Sequence, residues 1–200
     1  MGTHGRGVII IDDISPLREI NETNLSKKLY FFERDEFEIQ EFGGFADNFG
    51  RETQFIGANS SLICQIQYLL PRRHTFGKMT MEIQDMEGNK VTTLNPGKTK
   101  GINTVEWNYN MRTPKIAKGK TLSFGGFTSP TVPAGKYNVV IKKGRDTFEK
   151  TIDVTYKNNA RLNEDDRKFQ HETVMKLFNM TEELAYMVCL LYTSDAADDS

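Results

Sequence analysis

Cysteine is scarce in this chain, with 2 in 200 residues. Cys64 and Cys189 form no even, regularly spaced set, which excludes a disulfide scaffold or a cysteine-based metal cluster and leaves two unbridged thiols as the expectation. Long apolar runs are missing too. Stretches such as Gly7 to Ile11 fall far short of the roughly 18–20 residues a membrane-crossing helix needs, so no membrane span is expected. Neither sign of charge predominates: 26 Lys and Arg stand against 27 Asp and Glu, a formal charge of −1. The composition therefore lacks the overall basic excess that grips nucleic acid or anionic membranes, and nucleic acid is not an expected partner. The opening MGTHGRGVIII has no charged leader, long apolar segment or small-residue cleavage site. Met1 is not expected to be the native start, so this leaves the compartment open. At 38% hydrophobic the chain still has enough apolar material for one proper core.

That material is arranged with period two from about Gln54 onward. Leu62, Cys64, Ile66 and Tyr68 alternate with polar Gln65 and Gln67, and Met79, Met81 and Ile83 alternate with Thr80, Glu82 and Gln84. A turn at Asp85–Asn89, with Gly88 free to take positive φ, joins the second strand to Val91–Leu94 as a hairpin. On the next strand Asn103, Val105 and Trp107 share one face; only Val105 and Trp107 are suited to burial, and Trp107 is the expected core anchor. Residues 112–131 read as a long surface loop, rich in Lys, Gly, Ser and Pro. Beyond a turn at Val132–Gly135, two strands face Tyr137, Val139 and Ile141, then Phe148, Ile152 and Val154, inward around a reversal at Gly144–Asp146. The expected fold class is mainly β, a sandwich over residues 54–157.

The flanks differ. Gly7–Asp12 (GVIIID) is a β-branched strand, apolar on both faces, with no preceding partner strand expected within this chain. Residues 21–53 read as a connector, with a strand-like LYFFE at Leu29–Glu33 and a Phe- and Gly-rich stretch at Phe42–Gly50 suited to packing against a neighbouring domain. After the sandwich, in the segment 158–188, Asn163 is placed to cap a helix whose first turn holds Glu164, Asp165 and Asp166. Phe169, Thr173, Leu177, Met180, Leu184 and Met187 then recur at three and four residues, a stripe too long for a compact sandwich to cover, so a partner helix further downstream is expected.

No residue set carries recognisable chemistry, and no catalytic, cofactor-binding or metal-binding residue is expected. His4 with Arg6 could hold an anion, but the pair fits better as a polar turn entering a strand, with Gly for backbone geometry. His74 sits beside Arg72 and Arg73 in a loop before Lys78, and His171 falls on the polar side of the terminal helix; neither has a second ligand at metal-binding spacing. Glu82, Glu106 and Glu149 are acids on polar strand faces, where solvation is the rule. No Gly-rich loop followed by Lys and Ser or Thr marks a nucleotide site.

Two segments carry a family resemblance. GTHGRGVIIIDDISPLREI (Gly2–Ile20) resembles the last strand and exit of the β-propeller in bacterial proteins related to sortilin, often labelled glycosyl hydrolase or neuraminidase-repeat proteins. Ile56–Val154, with IQDMEGNKVTTL, KGINTVEWNY and TVPAGKYNVVIKK, is similar to the immunoglobulin-like sandwich that follows that propeller and also occurs in flagellar hook-capping proteins. The resemblance implies an immunoglobulin-like β-sandwich preceded by a remnant propeller strand (1–20) and followed by a C-terminal α-helix. It also implies an exported parent whose propeller is the sandwich's partner, with a glycan or protein ligand in addition. CLLYTSDAADDS (Cys189–Ser200) resembles translated sequencing-adapter read-through at the ends of metagenomic reading frames, which implies a non-native tail.

The function implied is a noncatalytic accessory or binding domain. Sialidase-type hydrolysis needs an arginine cluster, a Tyr nucleophile and a carboxylic acid from several blades, and the Ser-x-Asp-x-Gly-x-x-Trp blade box is absent here. Two alternatives stay open: the C-terminal part of a glycoside hydrolase whose catalytic residues lie in the propeller, and a carbohydrate-binding module using Phe124 and Phe127.

Overall fold

The computed structural model describes residues 14–39, 63–116, 129–156 and 162–198, with side chains to 191 in the last segment, together with the backbone of Gly2–Thr3 and Gly7–Val8. Its elements are β1 (Gly2–Thr3), β2 (Gly7–Val8), α1 (Ser15–Arg18), α2 (Glu22–Ser26), β3 (Tyr30–Phe31), β4 (Glu36–Ile39), β5 (Cys64–Leu70), β6 (Met79–Gln84), β7 (Lys90–Leu94), β8 (Gly101–Trp107), β9 (Gly135–Lys143), β10 (Asp146–Tyr156) and α3 (Glu164–Asp198). The protein is mainly β, with one five-stranded sheet in the order β4-β10-β9-β6-β7, one three-stranded sheet in the order β3-β5-β8, and a long C-terminal helix.

Period-two alternation produces the core. Met79, Met81 and Ile83 on β6, Tyr137, Val139 and Ile141 on β9, and Ile152 and Val154 on β10 are buried, and they join Cys64, Ile66, Tyr68, Leu70, Val105 and Trp107 of the smaller sheet in a single cluster. The two sheets thus share one core. Phe148 is partly buried and packs against it. Trp107, only 2% exposed, anchors it as expected. The hairpins follow the turn chemistry: Gly88 has φ +84° between β6 and β7, and Gly144 has φ +62° between Lys143 and Asp146, which pair directly.

Four expectations are corrected. Gly7–Val8 does find a preceding partner, pairing antiparallel with Gly2–Thr3; Ile9–Asp13 lie outside the described residues. Of the expected connector 21–53, residues 21–39 do more than connect, because β3 pairs with β5 and β4 pairs parallel to β10, one strand in each sheet; residues 40–53 lie outside the described residues. Phe37 and Ile39 alternate with Glu36 and Glu38 on β4 and bury 3% and 8% exposed, which shows the period-two signal was present over four residues. Asn103 is buried rather than solvated, held by hydrogen bonds to the backbone of its own turn.

The helix gives the fourth. Asn163 Oδ1 accepts from Asp166 N at 2.8 Å, the expected N-cap. The stripe of Phe169, Leu177, Met180, Leu184 and Met187 is exposed, and helical backbone continues through Cys189 to Asp198, past the point where the pattern was expected to stop. A different face meets the body, centred on buried Phe178. His171, expected on the polar side, is half-buried in the row that also holds Arg167, Val174 and Phe178. No described helix is long and apolar enough to cross a membrane.

Candidate functional site

Buried polar groups are the natural place to look for chemistry, and those described serve the fold. Tyr68 donates its hydroxyl to Gly97 O at 2.6 Å, Tyr137 to Pro133 O at 2.7 Å, and Trp107 its indole N–H to Asn110 O at 2.9 Å. Burial pushes both phenols up to about 12, so they stay protonated donors. Burial likewise pushes the Cys64 thiol up to about 12, which removes the thiolate that nucleophilic chemistry needs. Cys64 and Cys189 are not joined by a disulfide.

Lys150 stands on the inward row of β10 between Phe148 and Ile152, where the sequence pattern has an apolar expectation. Its ammonium donates to Phe32 O and, at 2.6 Å, to Arg34 O, tying the stretch before β4 to β10. Burial lowers its pKa below the ordinary 10.5. No feature of the sequence near Lys150 announced this role, because its partners are backbone carbonyls 116 and 118 residues away.

The histidines and acids singled out from sequence do not converge. His74 Nε2 lies 3.2 Å from Gly77 O, inside its own loop. His171 lies on α3. Glu82 accepts from Lys142 at 3.2 Å and from Gln84, which hold its carboxyl below the ordinary carboxylate range. Glu106 and Glu149 are exposed. Among the described residues no group of three His, Cys, Asp or Glu could hold a metal ion. His4, Arg6, Phe124, Phe127, Phe42–Gly50 and most of the 112–131 loop lie outside the described residues.

What the fold does bring together is one set of loops. The chain leaves β5 at Leu70, enters β6 at Met79, leaves β7 at Leu94, enters β8 at Gly101 and turns from β9 to β10 at Gly144, all at the same end of the two sheets. Cross-links hold these loops to one another: His74 N donates to Lys98 O at 3.0 Å, Gly144 N to Lys78 O at 3.3 Å, and Lys143 Nζ to Lys28 O at 3.2 Å. Inside the 95–100 loop, Asn103 accepts from Thr99 N and Oγ1 and donates to Thr99 O and Gly101 O, so a buried amide sets the loop's shape. Against models of protein families, curated proteins and solved structures, the chain shows no match.

Proposed function

We propose that this chain is a noncatalytic accessory or binding domain, of immunoglobulin-like type, belonging to an exported sortilin-like propeller protein. The observation that carries the reading is the core shared by the two sheets, a rigid scaffold whose loops gather at one end. The described buried side-chain donors and acceptors are all hydrogen-bonded, and the polar groups in and around the core hold backbone, as Lys150 and Asn103 do. The exposed stripe on α3 suits a further helix of the parent protein.

Hydrolysis assays of the full chain on sialosides and common glycosides, run beside its thermal unfolding, test this. A single cooperative transition without turnover is expected. Turnover by the chain itself overturns the reading.

A further inference from the structure

The near-neutral total charge conceals a strongly segregated one. The segments 27–28, 71–78, 98–100 and 142–146, gathered at the loop end, contain ten Lys or Arg and a single acid, Asp146. That acid is engaged by Lys28 at 2.8 Å, and the neighbouring Glu82 by Lys142 at 3.2 Å. Arg72, Arg73, Lys78, Lys98, Lys100 and Arg145 are exposed and have no carboxylate partner among the described residues. Like charges gathered at one end of the fold raise one another's energy, and a surface of fixed negative charge relieves it.

Within the 71–78 loop stands Phe76, 88% exposed, more than any other large apolar side chain described. Single exposed apolar residues are common, but this one is held out by construction. Gly77 at φ +88° reverses the chain behind it, His74 Nε2 approaches Gly77 O at 3.2 Å, and the His74 N–H fastens the loop to Lys98 O. A ring this exposed is not enclosed by described neighbours that could sandwich a base or a sugar against it. It matches a partner with a flat anionic surface and an apolar layer just beneath, where aromatic rings lodge at headgroup depth and basic side chains keep their charge among the phosphates.

We propose that this basic tip docks the protein on an anionic phospholipid bilayer, with Phe76 entering the headgroup–acyl boundary and the surrounding Arg and Lys side chains contacting lipid phosphates. The attachment is peripheral, involves no crossing segment and is independent of the accessory-domain reading.

Co-sedimentation of the full chain with vesicles of phosphatidylcholine alone, and of phosphatidylcholine mixed with phosphatidylglycerol, tests the proposal. Binding is expected only to the mixed vesicles and should fall steeply with added salt. Each of Arg72→Gln, Arg73→Gln and Lys98→Gln should weaken it about fivefold, and Phe76→Ser about tenfold or more, with unfolding midpoints unchanged. In Phe76→Trp the new indole's emission should shift to the blue on the mixed vesicles, while buried Trp107 contributes a constant background. No binding to the mixed vesicles at low salt overturns the proposal. So does binding that survives both Phe76→Ser and the triple charge variant. Retention on heparin or single-stranded DNA without vesicle binding overturns the lipid assignment in favour of a soluble polyanion.

Discussion

Trp107 and Tyr137 meet edge-on across the two sheets, their ring centroids 5.7 Å apart and their planes at 71°. This contact joins β8 of the smaller sheet to β9 of the larger, in the geometry aromatic quadrupoles favour. Tyr109 completes the group 5.5 Å from Trp107, reached by a chain reversal in which Tyr109 itself takes φ +57°. Truncating Trp107 removes the largest buried side chain and leaves the Asn110 carbonyl without its indole donor. Trp107→Ala should therefore destabilise the fold by about 3–5 kcal/mol in urea unfolding. An unchanged midpoint would show that the two sheets do not depend on this contact.

Asn103 and Gly97 lie close enough to constrain each other. A methyl group on Gly97 would lie 2.5 Å from Asn103 Oδ1 and 3.0 Å from its Cβ. Asn103→Ala should cost about 1–3 kcal/mol by orphaning the Thr99 donors and the Thr99 and Gly101 carbonyls. Gly97→Ala should also destabilise, but less so in an Asn103→Ala background, where the nearest clash is gone. Denaturation of the two single variants and the double variant checks this, and strict additivity would refute the coupling.

Lys150→Met retains the aliphatic stem on the inward row of β10 while removing the ammonium that holds Phe32 O and Arg34 O. The loss should be about 1–3 kcal/mol. Hydrogen exchange should quicken first at Asp153 N, which donates to Asp35 O at 2.7 Å where β4 begins its parallel pairing. Faster exchange spread evenly over both sheets would instead indicate a general loss of stability.

Arg112 grips Glu182 with two guanidinium nitrogens, at 2.5 and 2.9 Å, while Lys115 N donates to the same carboxylate at 2.8 Å. These donors, the Arg112 side chain foremost, hold Glu182 at about 2 rather than its ordinary 4.5. A depressed carboxylate contributes its stability above the unfolded value and loses it as pH falls through the folded one. The docking of α3 at Phe178, over whose ring Arg112 also sits at 4.8 Å, should therefore hold above about pH 4.5 and weaken progressively toward pH 2. Carboxylate NMR should place the Glu182 midpoint near the low value and move it upward in Arg112→Ala. A midpoint unaffected by that substitution would contradict the assignment.

Sequence by itself determined whatever depends on neighbours along the chain. Alternation over Met79–Gln84 and Tyr137–Ile141 told which side chains share a face, Gly88 and Gly144 marked reversals, and Asn163 marked a helix start, because φ/ψ preferences, period and capping act within a few residues. Trp107 was legible as an anchor because a side chain of that size must be buried somewhere. Only the tertiary structure decided which faces meet and which loops become neighbours. The four-residue β4 has too short a pattern to reveal that it would lie parallel to β10, more than a hundred residues away in sequence. The apolar stripe on α3 was legible as a face the sandwich does not cover, but that the helix also meets the body through Phe178, beside the bidentate Arg112–Glu182 pair, was not. Lys150 and Asn103 broke the polarity rule because each meets backbone partners that only the folded chain supplies. The net charge of −1 is a sum, and a sum has no position; folding segregates it by bringing Arg72, Lys98 and Arg145 to one end of the sheets around an exposed Phe76.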